Sequence, residues 1–216
     1  MQKQAVISIA TVVGALLLIV AVALAVVRPW ERPEPAAEAA NVAVVDESTH
    51  ILDDAGEGAP VLVEFLDHEC PSCGQFHPIV EDLRERYAGE VTFAVRYFPL
   101  AMHPNAVPAA LAAEAAAQQG SFEAMHTMLF DRQQEWAGTD GAAAGFRGYA
   151  EELGLDLEAY DAAIADPETL ERVQLDADAA AALGAPSTPT FFVDGEMLEL
   201  QRYEDVELAL QAALEG

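Results

Sequence analysis

The only two cysteines of the chain, Cys70 and Cys73, form the run Cys70-Pro71-Ser72-Cys73 directly behind the apolar stretch Val61-Leu62-Val63-Glu64-Phe65-Leu66. This order points to a strand that feeds a helix carrying a thiol pair at its start. With residues 71 onward helical, the cysteines lie three apart on one face, close enough to close a small disulfide ring. Cys70 then caps the helix, where unpaired backbone N–H groups and the helix dipole favour a thiolate and lower its pKa. The spacing makes Cys70 the nucleophile. Cys73, one turn further in and more buried, is the thiol that resolves a mixed disulfide, and Pro71 and Ser72 form the active-site loop between them.

Residues 5–27 carry no charge and are long enough to cross a bilayer as a helix. The run exceeds the usual apolar region of a cleaved signal, so an uncleaved signal anchor is favoured over a removed signal peptide, although Ala23-Leu24-Ala25 resembles a small-residue cleavage site. Lys3 on one side and Arg28 and Arg32 on the other leave orientation undecided by charge. A lone thiol pair suits an oxidising compartment, which places residues 28 onward outside the cytoplasm of a single-pass cell-membrane protein. After a short tail at 1–4 and the span at 5–27, residues 28–42 read as a stiff Pro/Ala/Glu-rich linker. Residues 43–216 then make one domain. The net charge is −27 and Lys3 is the only lysine, so nucleic acid and anionic lipid surfaces are poor partners.

Within the domain, residues 61–67 read as a strand covered on both faces, and residues 71–87 as a helix kinked at Pro78. A second β-rich run covers 91–98. Ala-rich helical segments follow at about 106–119, 121–134, 140–153, 156–165 and 167–183, giving an all-helical insertion at about 104–184. Thr190 to Val193 and Met197 to Leu200, joined by Asp194-Gly195-Glu196, read as a hairpin, and Tyr203 to Leu214 as a closing amphipathic helix. The order is β-α-β, helical insertion, β-β-α, an α/β class.

A strand leading into CxxC, Pro78 five positions after the second cysteine, and Ser187-Thr188-Pro189-Thr190 before a terminal hairpin and helix together resemble the thioredoxin fold. The helical insertion resembles its DsbA-like branch. Glu64 through Cys73, Phe98-Pro99-Leu100, His103-Pro104 and Pro189 through Gly195 are similar to that family's motifs, and the resemblance spans about residues 43–216. The whole layout, with its membrane helix, resembles the extracytoplasmic thiol-disulfide oxidoreductases of monoderm bacteria. The resemblance implies that Thr188-Pro189 is a cis-proline loop lying against the active-site pair, with backbone groups free to bind an extended substrate; an ordinary trans proline is the alternative.

Glu64 is the only charge inside its apolar strand. Buried there, its carboxyl would have a raised pKa and could pass a proton to or from Cys73; a purely structural tie to Arg96 on the neighbouring strand is the competing reading. His68, Cys70, Cys73 and His77 could be drawn as a zinc set, but no second, distant ligand pair exists, so neither metal nor cofactor is expected. His50 and His126 read as surface and helix-packing residues. Met102, Met125 and Met128 read as core of the insertion. No phosphate loop, Ser-His-Asp arrangement or nucleotide motif is present.

The resemblance implies a protein thiol-disulfide oxidoreductase acting on unfolded or reduced exported proteins. Pro-Ser between the cysteines lacks the histidine of the family's strongest oxidants, which argues for a milder couple. Disulfide donation by a monomer is still the favoured reading, with a membrane partner of the DsbB or VKOR type renewing the oxidised state. The alternatives are a reductase or isomerase, and a non-catalytic binding module.

Overall fold

The computed structural model describes residues 42–216. The expected span at 5–27, and all of the linker except its last residue, lie outside the described residues. Among the described residues, no helix is long and apolar enough to cross a membrane.

The elements are β1 (His50–Asp53), β2 (Val61–Leu66), α1 (Pro71–Arg86), β3 (Thr92–Tyr97), α2 (Ala106–Ala117), α3 (Phe122–Asp131), α4 (Gln133–Trp136), α5 (Ala142–Glu152), α6 (Leu157–Ala165), α7 (Pro167–Ala182), β4 (Thr190–Val193), β5 (Glu196–Met197) and α8 (Glu204–Glu215). The strands form one sheet in the order β1-β3-β2-β4-β5. β2 and β3 are parallel, joined through α1, and the remaining pairs are antiparallel.

Side-chain alternation along β2 divides its residues between two layers. Leu62, with Phe93 of β3 and Phe191 and Val193 of β4, packs against Phe76, Val80 and Leu83 of α1 and Val206 and Leu210 of α8. Val63 and Phe65, with Ala94 and Phe192, face Ala179 and Ala180 of α7. Each large side chain so buried contributes roughly 1.5–3 kcal/mol, which holds β2 at the sheet centre and fixes where its C-terminal end delivers Cys70.

The helical insertion has its own core. The alanines of α2 are buried on nearly every side, among Met125, Leu129, Trp136, Phe146 and Tyr149 from neighbouring helices. Asp156 caps α6 by accepting from Glu158 and Ala159, and Asp166 caps α7 by accepting from Glu168, with Pro167 opening that helix. The guanidinium of Arg84 on α1 reaches Asp53 at the end of β1, Glu81 on its own helix and Glu123 on α3, tying insertion to sheet.

Several expectations are corrected. β1 is an additional strand: His-Ile-Leu-Asp shows no two-residue alternation, and its pairing with β3 alone defines it. The expected segment at 121–134 divides into α3 and α4 at Arg132, whose φ of −106° leaves the helical range. The terminal hairpin is shorter than read, with β5 ending at Met197, although Leu198 N still donates to Phe191 O at 2.8 Å. Met102 is 79% exposed rather than core, because it sits in the loop before α2. His50 is half-buried, stacked on Phe122 with ring centroids 3.8 Å apart and bonded to Glu114 at 2.9 Å.

Candidate functional site

β2 ends at Leu66, and the next four residues turn the chain into α1. Cys70 N donates to Asp67 O at 3.0 Å, and Cys70 O accepts Gly74 N at 3.1 Å, so Cys70 stands at the N-cap with extended φ and ψ of −66° and 123°. Pro71 is well suited to the following position because its missing N–H would have no helical partner. Cys70 is 6% exposed and Cys73, one turn on, 0% exposed; the two thiols are unbridged.

The two sulfurs differ in acidity. A hydrogen bond from Cys73 draws the Cys70 thiol down to about 5 against the opposing effect of burial, helped by the backbone at Cys73 and Ser72. Burial pushes Cys73 well above the ordinary thiol range, and the bond to Cys70 and the charges of Glu64 and Cys70 add to the rise. At neutral pH the pair therefore holds one thiolate, on Cys70.

Glu64 is buried in the centre of β2, opposite Val95 on one side and Phe191 on the other. Its Oε1 has no hydrogen-bond partner, and burial, with the charges of Cys70 and Glu81, raises its pKa to about 8. The structural tie to Arg96 does not form. Arg96 is paired with Phe65, one position out of phase with Glu64, and so lies on the opposite face of the sheet. There it donates to Asp176 at 2.7 Å, Asp46 at 2.7 Å and the carbonyls of Ala43 and Val44. Glu64 is left as a neutral acid within the electrostatic reach of Cys73.

The Thr188–Pro189 peptide bond is cis, and the Thr188 carbonyl lies 3.4 Å from Cys70 Sγ. The Thr188 hydroxyl is buried without a partner, while Thr190 Oγ1 fixes the loop by donating to Ser187 O at 2.7 Å. A groove of about 390 Å³ lies beside this loop, lined by Pro186, Ser187, Pro189, Met197, Leu198 and neighbouring residues. Cys70 and Thr188 thus meet as expected, and Pro189 lines the groove.

From the sequence, Asp67 and Glu69 stand only as part of a motif, and His68 as part of that motif and of the rejected zinc set; the structure gives all three specific contacts. Asp67 accepts Glu69 N, Leu100 N and His103 Nδ1 at 2.8, 3.0 and 2.6 Å. Glu69 accepts Asn105 N, the Asn105 amide and Gly138 N at 2.5, 2.9 and 2.7 Å. Gln133 of α4 donates to His68 O at 2.7 Å and to Cys70 O at 2.9 Å. The available signal was the run of charged residues between a buried strand and a helix, which can be buried only with partners.

His68 and His77 turn away from a shared centre with the cysteines. His68 Nε2 meets His126 Nδ1 at 3.2 Å, and His77 stacks on Phe130 with ring centroids 4.7 Å apart. Burial drives His68 down to about 3 and His126 well below the usual imidazole value, so both are neutral. Among the described residues, no three His, Cys, Asp or Glu side chains gather into a metal-binding group.

A family profile described as thioredoxin matches residues 56–212. Among solved structures, a thioredoxin-like oxidoreductase from Silicibacter pomeroyi is 29% identical with a TM-score of 0.65, covering 79% of this chain and 95% of that one. BdbD from Bacillus subtilis, in its oxidised form, is 21% identical with a TM-score of 0.70, covering 78% and 94%. DsbA from Xylella fastidiosa is 21% identical with a TM-score of 0.63, covering 81% and 97%. The curated relatives include a Na(+)/H(+) antiporter NhaA 3 of Salinispora tropica, 44% identical over 139 residues, which are 63% of this chain and 20% of that protein. The chain thus spans about a fifth of the length of the curated relatives it matches. With the profile covering most of the chain and the neighbours sharing its fold over nearly their whole length, this chain belongs to the thioredoxin family, as an oxidoreductase built on the DsbA-like fold.

Proposed function

We propose that the protein donates disulfides to reduced, unfolded exported proteins through the Cys70–Cys73 pair. The observation that carries this reading is the split in acidity between the two sulfurs, with Cys70 at about 5 and Cys73 raised by burial. A substrate thiolate attacks Cys70 and displaces Cys73, which leaves as a thiolate and takes up a proton; Glu64 stands within electrostatic reach to supply it. A second substrate thiol then attacks the substrate sulfur of the mixed disulfide and displaces Cys70. A low-pKa thiol leaves faster, and a stabilised thiolate makes the reduced pair the favoured state, so both effects support donation. The Thr188 carbonyl and the adjoining groove supply the place for an extended substrate backbone.

Residues 5–27 hold the domain at the cell membrane in this reading, on the extracytoplasmic side, with a DsbB- or VKOR-type membrane partner reoxidising the pair. The antiporter relatives, in which a segment similar to this domain forms part of a protein named as an ion transporter, support a membrane setting. The test is the equilibrium of the full chain with glutathione. A potential above about −180 mV is expected of a donor, and one below about −230 mV would assign the protein to reduction instead.

A further inference from the structure

The Cys70 turn is tied to a histidine that lies outside the CxxC helix. Asp67, whose carbonyl accepts Cys70 N, uses its buried carboxylate to hold the loop between β3 and α2 through Leu100 N and His103 Nδ1. Glu69 holds the far end of the same loop through Asn105. The loop that carries His103 is thereby held at both ends by the residues that lead into the nucleophile, and the imidazole itself is held by Asp67. Donation of its Nδ1 proton to Asp67 leaves Nε2 as the atom that gains or loses a proton.

We propose that His103, oriented by Asp67, is a positioning residue for the thiol chemistry: as an imidazolium it stabilises the Cys70 thiolate, a cationic task that neither Pro71 nor Ser72 can perform. This rests on Cys70 being the attacking and leaving thiol. Burial opposes charging of His103, but the bond and charge of Asp67 and the charges of Cys70 and Glu69 outweigh it, so the ring's affinity for a proton rises. The coupling is reciprocal: if the Cys70 thiolate favours the imidazolium, the imidazolium favours the thiolate.

The proton balance gives the consequence. When a substrate dithiol reduces the pair, a substrate S–S bond forms and the Cys70–Cys73 bond breaks, with two electrons passing to the pair. One of the two substrate protons ends on Cys73; the other goes to His103 when that ring is neutral, and otherwise to solvent. His103 therefore binds its proton more tightly in the reduced than in the oxidised protein.

The experiment follows thiolate absorbance at 240 nm against pH in the reduced full chain, together with the glutathione equilibrium, for wild type, His103→Gln and His103→Arg. His103→Gln is expected to raise the Cys70 pKa by about one unit and to shift the equilibrium about tenfold toward the disulfide form, and His103→Arg to restore most of both. Unchanged values in a folded His103→Gln chain, or no recovery with arginine, overturn the proposal while leaving Cys70 as nucleophile. A wild-type chain with no thiolate below neutral pH overturns the reading of Cys70 and this proposal with it. Should His103→Gln fail to fold, the His103 imidazole is titrated by proton NMR in wild type. A higher pKa in the reduced than in the oxidised form supports the assignment, and equal values overturn it.

Discussion

Cys70 Sγ and the carbonyl oxygen of Thr188, 118 positions apart in the chain, lie 3.4 Å from each other. The contact brings the N-terminus of α1 and the segment entering β4 to one point, so a peptide whose sulfur reaches Cys70 also reaches the backbone ahead of β4. Both elements are fixed by β2, which continues into the CxxC turn on one side and pairs with β4 on the other.

The difference between the two sulfurs predicts which variant traps substrate. With Cys73→Ala, Cys70 still attacks and nothing resolves the product, so mixed disulfides with exported proteins should accumulate. With Cys70→Ala, the remaining thiol is buried and its pKa is raised, leaving little thiolate at neutral pH. Trapping at least about tenfold weaker is expected. Non-reducing electrophoresis of both variants decides it, and equal trapping would sink the assignment of roles.

Glu64 carries a stability cost with a definite sign. Its folded-state pKa of about 8 lies above its ordinary value of 4.5, so the unfolded chain releases this proton first. The stability it confers is complete below about pH 4.5 and is lost as pH rises toward 8. The loss is on the order of 3 kcal/mol by pH 7. Glu64→Gln should therefore be more stable than wild type at pH 8, with the advantage shrinking toward pH 4.5, and should slow the exchange steps in which Cys73 gains or loses a proton. Urea unfolding across this range, with stopped-flow thiol exchange, measures both. A constant stability difference would remove the buried-acid reading.

Much of the molecule was legible from sequence, for identifiable reasons. β2 and β3 are apolar runs of strand length, α7 has an Asp-Pro start, and the CxxC spacing fixes its own helix, so these elements follow from local pattern. His50–Asp53 was not legible because that strand is defined only by β3 beside it. Glu64 stood out as a charge in an apolar strand, but its separation from Arg96 depends on the parallel register, which places Arg96 beside Phe65. The contacts of the Asp67 carboxylate with Leu100 and His103, those of Glu69 with Asn105 and Gly138, and the amide contacts of Gln133 join positions at least 33 residues apart, and no local pattern reports them.

Gln133 and Gly74 test how tightly the Cys70 turn is held. A Cβ on Gly74 would overlap the Gln133 side chain, with the amide carbon only 2.9 Å away. That amide cannot swing aside freely, because it donates to His68 O and Cys70 O. Gly74→Ala should then cost about 1–3 kcal/mol through the loss of those bonds, despite the higher helix propensity of alanine. In a Gly74→Ala/Gln133→Ala chain the two costs should fall well short of additive. Chemical denaturation of the three variants gives the cycle, and strict additivity would mean that the two residues do not interact.

His68 and His126 set the acid limit of stability. Their ordinary pKa is near 6.5, but burial holds His68 down to about 3 and His126 well below its usual value. The unfolded chain therefore takes up protons first as pH falls, and the stability present above about pH 6.5 is lost toward pH 3. This is opposite in sign to Glu64. For His68 alone the loss from pH 6.5 to 4.5 is about 2–3 kcal/mol. His126→Phe keeps an aromatic ring against Phe122 and Phe130, whose centroids lie 5.5 and 5.1 Å from that of His126. It leaves His68 Nε2 without its partner, which lowers stability at every pH by roughly 1–3 kcal/mol. The diagnostic quantity is the change between pH 7 and 4.5, where carboxylates contribute equally to both proteins. The variant should lose less stability than wild type over that interval in urea unfolding, and an equal loss would show that His126 is not held neutral in the fold.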